Sequence, residues 1–210
     1  MRKIIKEAEP EILATWKRSH PNGRYRDLDE GGYSVREGIR AAALKEQQGL
    51  CCYCCKSIDL KSCHNEHLEP QRTAPQRSLD FCNIVASCNT RRQCGDAHES
   101  KHLPLTPLMD ACETELSFRL NGKVRGLTGR ADRMIEILKL GNGNNRMLQQ
   151  TRKIGIDALL FTHIGSFDSL ELLGDDLLSI FLEDIESITS PQLPAYQPVL
   201  VNILKQELQK

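Results

Sequence analysis

The chain has 210 residues, of which 40% are hydrophobic and 27% are charged, and its 28 basic and 28 acidic side chains cancel at pH 7. A chain of this length suits one compact domain with an appendage, or two small domains. No apolar run approaches the length of a membrane span, so we expect no membrane partner.

The charged residues are distributed unevenly along the chain. Residues 1–154 carry 26 Lys and Arg against 19 Asp and Glu, a surplus of seven, whereas residues 155–210 carry two against nine, a deficit of seven. A basic segment suits a polyanionic ligand, and an acidic segment should avoid one. We therefore predict a basic domain over residues 1–154 and an acidic helical tail over residues 155–210.

Two helices are predicted before the cysteine-rich region. The first begins at Glu9-Pro10, because proline is favoured in the first turn of a helix. The second begins with Ser34 as its N-cap and Glu37 three residues later, a capping box, and it ends at Gly49. This second helix leads directly into the first cysteines.

Residues 51–102 contain eight of the nine cysteines and four of the six histidines. Thiolates are the usual ligands of a closed tetrahedral zinc site, and they come as two closely spaced pairs. The predicted ligands of a structural zinc are Cys51, Cys54, Cys88 and Cys94. Cys52 and Cys55 have the same spacing as Cys51 and Cys54, so they are the alternative first pair.

Disulfide bonds are the alternative to a metal site. The first residues of the chain are charged and no apolar run follows them, so we expect no signal peptide and a cytoplasmic location. Cysteines clustered in a cytoplasmic protein bind metal more often than they form disulfides. We expect the remaining cysteines to be buried thiols: Cys63, Cys82 and Cys112.

The residues between and beyond the cysteine pairs carry a second motif. The chain reads Asn65-Glu66-His67-Leu68-Glu69-Pro70, continues to Asn83, and reaches His98 after Cys94. The Glu-His-Leu-x-Pro segment is similar to the first strand of HNH nucleases, and the stretches around Asn83 and His98 are similar to the rest of their motif. Over about residues 1–154 the chain resembles the HNH endonuclease subunit of Septu-type anti-phage defence systems, including those attached to retrons.

This resemblance implies an α+β fold with a ββα-metal (HNH) core over residues 51–102, clamped by zinc and surrounded by α-helices and a β-hairpin. It also implies a metal-dependent endonuclease that hydrolyses phosphodiester bonds of DNA or RNA. The implied partners are an SMC/ABC-like ATPase subunit and, in retron versions, a reverse transcriptase with its RNA–DNA product.

The resemblance also assigns roles to single residues. It makes His67 the general base, Glu66 a ligand of a catalytic Mg²⁺ or Mn²⁺, and Asn83 the residue that hydrogen-bonds the backbone near the base. Both cations prefer oxygen ligands, which suits a carboxylate. His98 is the expected second ligand of this cation, and Asn89 and Asp96 are its competitors.

Five basic residues flank this motif, and we expect them to contact phosphates of the nucleic acid. They are Arg72, Arg77, Arg91, Arg92 and Lys101. Phosphate contacts position a nucleic acid without reading its sequence, so these residues predict no sequence preference.

Beyond the motif, the chain predicts a hairpin and further helices. Residues 116–127 form the hairpin, with Asn121-Gly122 as its turn. Helices are predicted over residues 131–140 and 146–160, and again in the tail over residues 175–185 and 199–208. Leu178, Phe181, Leu182 and Ile185 have the spacing of apolar anchors for a partner's groove, although packing on the chain's own body explains them equally well.

A second class of function competes with the nuclease. The chain could instead be a zinc-stabilised nucleic-acid-binding module or an adaptor that holds a partner, without catalysis of its own. Neither role requires the Glu66-His67 pair, so the sequence favours the nuclease.

Overall fold

The computed structural model of the chain describes residues 1–29, 33–141, 143, 145–165, 170, 174–188 and 190–209. Within these residues, α-helices surround two small antiparallel sheets, so the fold is α+β as predicted. The helices are α1 (Glu11–Ser19), α2 (Tyr33–Glu46), α3 (Cys94–His98), α4 (Ala111–Thr114), α5 (Gly129–Leu138), α6 (Arg146–Ile164), α7 (Asp175–Glu186) and α8 (Gln197–Glu207). Among the described helices, none combines the length and apolar character needed to cross a membrane.

The first sheet lies in the cysteine-rich region. Strand β1 (Cys63–His67) pairs with β2 (Ile84–Cys88), and the register places Glu66 opposite Val85. All five residues of β2 are buried, and α2 packs against both strands. The short helix α3 follows β2 and packs on it. The chain order strand, strand, helix therefore brings the end of β2 next to the start of α3.

A buried glutamine fastens the first cysteine loop to this sheet. The Gln47 side chain donates to the carbonyls of Leu50 (2.7 Å) and Ala86 (2.8 Å), and it accepts from the backbone N–H of Ala86 (2.7 Å). The backbone N–H of Cys52 also donates to the Ala86 carbonyl, at 3.1 Å. These bonds occupy the backbone groups at the edge of β2 that faces away from β1. The cysteine loop is thereby held against the strand that carries Cys88.

The second sheet is the predicted hairpin, with β3 (Leu116–Phe118) paired to β4 (Val124–Gly126). Gly122 in its turn has a φ of +77°, and a Cβ there would lie 2.1 Å from the carbonyl oxygen of Gln149. On the outer edge of β3, the Asn202 side chain of α8 accepts from the Phe118 N–H and donates to the Leu116 carbonyl. The hairpin is therefore held between α6 and α8.

The tail packs on the rest of the chain. Three of the four predicted anchors, Leu178, Phe181 and Ile185, are buried within the chain itself, and Leu182 is half-buried. Helix α7 packs against α8, and α8 packs against α6 and β3. The boundary predicted at residue 154 falls inside α6. Of the two interpretations of these apolar faces, packing on the body is the one observed, and docking on a partner stays a prediction.

The segment between α7 and α8 also runs along the cysteine loop. The backbone N–H of Tyr196 donates to the Cys55 carbonyl at 2.8 Å, and that of Leu193 donates to the Gln48 carbonyl at 2.9 Å. The Gln48 side chain donates to the Ser190 carbonyl at 3.0 Å. The acidic tail and the cysteine loop therefore share backbone hydrogen bonds.

We predict that α8 is part of the folding core. Leu200→Ala should lower the free energy of unfolding by about 2–5 kcal/mol, because Leu200 is fully buried and its truncation leaves a cavity. Denaturant unfolding of the full chain measures this loss. Ile180→Ala on α7 is the matched control: its side chain is 63% exposed, and the change should stay within about 0.5 kcal/mol. Equal losses for the two variants would contradict the packing described here.

Candidate metal centre and active site

Four cysteines converge at one buried point. The sulfur atoms of Cys51, Cys54, Cys88 and Cys94 all lie within 4.8 Å of one another, and all four residues are buried. Cys88 is the last residue of β2 and Cys94 is the first of α3, so the sheet and the helix supply the second pair. Among the described residues, this is the group of His, Cys, Asp or Glu side chains close enough to hold one ion. Its geometry fits a tetrahedral Zn²⁺ with four thiolate ligands.

The structure distinguishes the two possible first pairs. The backbone N–H of Cys55 donates to the Cys51 carbonyl at 3.1 Å, and Cys55 has a φ of +61°. The chain thus turns tightly from Cys51 to Cys55, and this turn brings the sulfurs of Cys51 and Cys54 together. Cys52 and Cys55 lie outside the four-sulfur group.

All nine cysteines lie in the described part of the chain, and all are free thiols. Cys63 and Cys112 are buried as predicted, but Cys82 is exposed. The reason is its place in the middle of a 3-10 turn, where Phe81 and Asn83 on either side are buried instead.

Hydrogen-bond donors surround the four sulfurs. The backbone N–H of Cys88 donates to Cys51 Sγ at 3.4 Å, and the buried Gln93 side chain donates to the sulfurs of Cys88 and Cys94 at 3.8 and 3.9 Å. Burial raises the pKa of the Cys51 thiol, but hydrogen bonds with its neighbours, including the other three cysteines of the group, outweigh it and bring that pKa well below the ordinary value. A thiolate is therefore favoured at Cys51, and thiolate is the form that binds metal.

Glu66 and His98 meet beside this cluster. Glu66 Oε1 lies 2.6 Å from His98 Nδ1 and accepts a hydrogen bond from the Tyr53 hydroxyl at 3.0 Å. The other carboxylate oxygen, Oε2, lies 3.5 Å from His64 Nε2. Glu66 is 7% exposed and His98 is 1% exposed. Burial raises the pKa of Glu66, but the hydrogen bonds with His64 and His98 outweigh it, so the net shift is downward.

The protonation of this pair follows from its outer contacts. His98 Nε2 lies 2.6 Å from the carbonyl oxygen of Lys101, which can only accept, so Nε2 carries a proton. The short contact between His98 Nδ1 and Glu66 Oε1 then requires a second proton, which is bound either to Nδ1 or to Oε1. A divalent cation could replace that proton, because a metal-bound histidine commonly donates its other N–H to a carbonyl. Glu66 and His98 thus offer one oxygen and one nitrogen atom, whereas among the described residues the four cysteines are the group that offers three or more ligand atoms.

His67 has a separate set of contacts. Its Nε2 donates to the Ser78 carbonyl at 2.9 Å, and its Nδ1 accepts from the Gln71 amide at 3.3 Å. The Tyr25 ring packs edge-on against the imidazole, with the ring centroids 4.7 Å apart. Burial lowers the pKa of His67, despite the opposing bond to Ser78. His67 is therefore a neutral imidazole near pH 7, and Nδ1 is its basic atom.

Asn83 joins the two strands beyond their paired residues. Its side chain accepts from the Glu69 N–H at 2.8 Å and donates to the Glu69 carbonyl at 3.0 Å and the Arg77 carbonyl at 3.3 Å. These bonds hold both ends of the loop that carries Ser78, the partner of His67. Asn83 therefore hydrogen-bonds backbone groups of the loop next to His67, and its role beside a catalytic base stays a prediction.

Asn89 and Asp96, the alternatives to His98 as the second ligand, form hydrogen bonds with other residues. The Asn89 side chain accepts from His64 Nδ1 and donates to the Lys61 carbonyl. Asp96 is exposed and accepts from the backbone N–H of Arg92. Of the three candidates, His98 is the one whose side chain contacts Glu66.

The five residues predicted to contact phosphates differ in whether their side chains already form ion pairs. Arg77 makes ion pairs with Asp80 and Glu69, and Lys101 makes one with Glu99 at 2.6 Å. These two side chains are therefore already engaged with carboxylates. The other three are exposed and, among the described residues, form no ion pair: Arg72, Arg91 and Arg92.

Sequence reasoning missed three residues that contact Glu66. Tyr53 donates a hydrogen bond to Glu66, and the His64 ring approaches it. Gly95 has no side chain, which leaves room for His64 and Glu66. A Cβ on Gly95 would lie 2.5 Å from His64 Nε2 and 2.7 Å from Glu66 Oε2. The alternation of a strand could have identified His64, because residues two apart lie on the same face. The contacts of Tyr53 and Gly95 depend on tertiary structure.

Comparisons with known proteins name no family for this chain. No family model matches it, and no curated protein matches it.

We predict that the protein binds about one Zn²⁺ per chain through the four-sulfur group. Cys88→Ser should abolish this binding and destabilise the fold strongly, because a structural zinc contributes on the order of 10 kcal/mol of apparent binding free energy. Elemental analysis of the purified protein and thermal unfolding measure the two effects. Cys82→Ser is the matched control, since Cys82 is exposed and outside the group. Full zinc content in Cys88→Ser would contradict the assignment.

We predict a steric effect at Gly95. Gly95→Ala should lower the free energy of unfolding by about 1–3 kcal/mol, because the added Cβ overlaps His64 and Glu66 and overpacking strains the site. Gly129→Ala on α5 is the control, since a Cβ there meets no atom within 4 Å. If both variants are as stable as the wild type in denaturant, the close packing around Glu66 is wrong.

Proposed function

We propose that this chain is a metal-dependent endonuclease of the HNH type, which hydrolyses phosphodiester bonds of nucleic acid. The observation that carries the proposal is the contact between Glu66 on β1 and His98 on α3, next to a four-cysteine group that could hold zinc. A carboxylate and an imidazole from a strand and the following helix are suitable ligands for one catalytic cation.

Phosphodiester hydrolysis needs a base for the attacking water and charge neutralisation at the phosphate. A cation held by Glu66 and His98 would supply the neutralisation. Nδ1 of His67 would accept the proton from water, since its other nitrogen is fixed by Ser78 and its lowered pKa keeps it neutral. Gln71 now occupies Nδ1 at 3.3 Å and would have to move when water binds there.

The placement of His67 sets a condition on the substrate. Adjacent strand residues point to opposite faces, and Glu66 and His67 accordingly have separate contacts. His67 is the last residue of β1, where the strand leads into the loop held by Asn83. A phosphodiester that reaches both groups would therefore cross the end of this strand.

One observation favours the second candidate, a zinc-stabilised binding or adaptor module without catalysis. Glu66 and His67 are 7% and 8% exposed, so both reacting groups are mostly covered. A binding module would need neither group accessible. If the chain is a nuclease, the Gln71 side chain would have to move, or a partner would have to rearrange the site, before substrate could reach these two groups.

The proposed partners follow from the resemblance to Septu-type systems. They are the SMC/ABC-like ATPase subunit and, for retron versions, the reverse transcriptase with its RNA–DNA product. The surplus of basic residues over positions 1–154 supports a nucleic-acid substrate, because basic protein surfaces attract polyanions.

We predict that His67→Ala reduces cleavage by about 10²–10⁴-fold, the usual contribution of a general base. Plasmid, single-stranded DNA and RNA substrates should be tested with Mg²⁺ or Mn²⁺, and a chelator should abolish cleavage. The control is His102→Ala, since His102 is exposed. A wild-type rate for His67→Ala would refute its role. A wild-type chain that cleaves none of these substrates, alone or with its ATPase, would favour the binding module.

A further inference from the structure

Arg152 is a buried charge without a carboxylate partner. It is fully buried on α6, and its guanidinium donates to the carbonyls of Gly122 (2.6 Å) and Leu140 (3.0 Å). The guanidinium also lies over the Phe118 ring, 5.1 Å from its centroid. Its Nε has no hydrogen-bond partner among the described residues. An arginine stays protonated in proteins, so this side chain places a full positive charge in the interior.

Burying such a charge is costly unless another charge compensates it. Burial lowers the pKa of Arg152, and the groups whose ionised forms would oppose that shift are Cys54, Tyr196, Cys55 and Cys94, none of which is a carboxylate. Two of these, Cys54 and Cys94, belong to the four-sulfur group. Neutral thiols would leave the arginine uncompensated.

The contacts of α6 show that it packs beside the cysteine group. Its N-cap, Asn145, donates to the Gln93 side chain at 2.9 Å, and Gln93 in turn donates to the sulfurs of Cys88 and Cys94. One turn beyond Arg152, Gly155 lies against the ring of Tyr196, whose backbone N–H donates to the Cys55 carbonyl. Both ends of the α6 segment that carries Arg152 therefore reach the cysteine loops.

The charge of the metal centre complements this arginine. Four thiolates around one Zn²⁺ carry a net charge of about −2, since each thiolate ligand contributes one negative charge. We propose that Arg152 is the counter-cation of this centre: its buried guanidinium stabilises the zinc-bound tetrathiolate, and the zinc centre in turn compensates Arg152. This makes α6, which begins in the predicted nuclease domain and ends in the acidic tail, a part of the metal centre.

The role of Arg152 depends on zinc binding and not on nuclease activity. A chain without nuclease activity would therefore leave this role intact. The proposal predicts that charge at position 152, rather than hydrogen bonding, controls zinc affinity. Arg152→Gln removes the charge and keeps an amide donor on a shorter side chain. Arg152→Lys keeps the charge and has fewer donors.

The test is zinc affinity of the full chain, measured by competition with a chromophoric chelator. Removing an outer partner of a metal site typically weakens metal binding by about 10–100-fold. We expect a loss of this size for Arg152→Gln and a much smaller one for Arg152→Lys. Arg133→Gln is the matched control, because the Arg133 side chain is 65% exposed, and its affinity should be unchanged. Wild-type affinity in Arg152→Gln, or equal losses in the two Arg152 variants, would overturn the proposal.

A double-mutant cycle separates charge compensation from general damage to the fold. Cys54→His leaves a legitimate three-cysteine, one-histidine zinc site and reduces its net charge to about −1. In that background Arg152→Gln should weaken zinc binding several-fold less than it does in the wild type. The tetrahedral Co²⁺ absorption of each variant shows that the site still forms. An Arg152→Gln loss that is identical in both backgrounds means that the residue acts through packing, and the proposal is wrong.

Discussion

The convergence of four cysteine sulfurs is the constraint on which the rest of this structure depends. It joins the loop after α2 to the end of β2 and the start of α3. Two residues of these segments, Cys55 and Cys94, have positive φ values of 61° and 52°. Such backbone conformations cost about 1–3 kcal/mol each and persist where surrounding contacts determine them. A zinc ion bound by the four thiolates would help to hold these residues in their conformations.

Amide side chains form hydrogen bonds that two-stranded sheets leave unmade. Gln47 covers the outer edge of β2, Asn202 covers that of β3, and Asn83 joins the strands beyond their last pair. Each two-stranded sheet leaves unpaired backbone groups on both outer edges, and burying them unpaired costs free energy. An amide satisfies both a donor and an acceptor, so one side chain replaces part of a third strand. Of these three, Asn83 also fixes the loop next to His67.

The site itself combines two environments on one strand. On one face, Glu66 is surrounded by hydrogen-bonding groups from Tyr53, His64 and His98. On the other, burial keeps the His67 imidazole neutral. The strand alternation that separates them is also what allows a hydrogen-bonded carboxylate and a neutral imidazole to occupy adjacent positions. Arg152 adds a buried positive charge on α6, where its guanidinium donates to the carbonyls of Gly122 and Leu140.

The sequence by itself determined the features that depend on local pattern. Cysteine spacing predicted the four residues that meet, the Asn121-Gly122 turn predicted the hairpin, and apolar periodicity predicted the later helices, including α7 and α8. The hairpin and helix predictions succeeded because turn chemistry and periodicity act between residues that are close in the chain, and the cysteine prediction succeeded because each pair of ligands is closely spaced. The choice of Cys51 and Cys54 over Cys52 and Cys55 needed the turn geometry as well.

Only the tertiary structure decided which distant residues meet. Leu178, Phe181 and Ile185 have the same periodicity whether they pack on a partner or on α8, and the sequence could not distinguish the two. The contacts of Tyr53 and Gly95 with Glu66, and those of Arg152 with the carbonyls of Gly122 and Leu140, arise from long-range packing. The physical reason is that a side chain's periodicity fixes the face on which it lies, whereas the fold of the whole chain fixes what that face contacts.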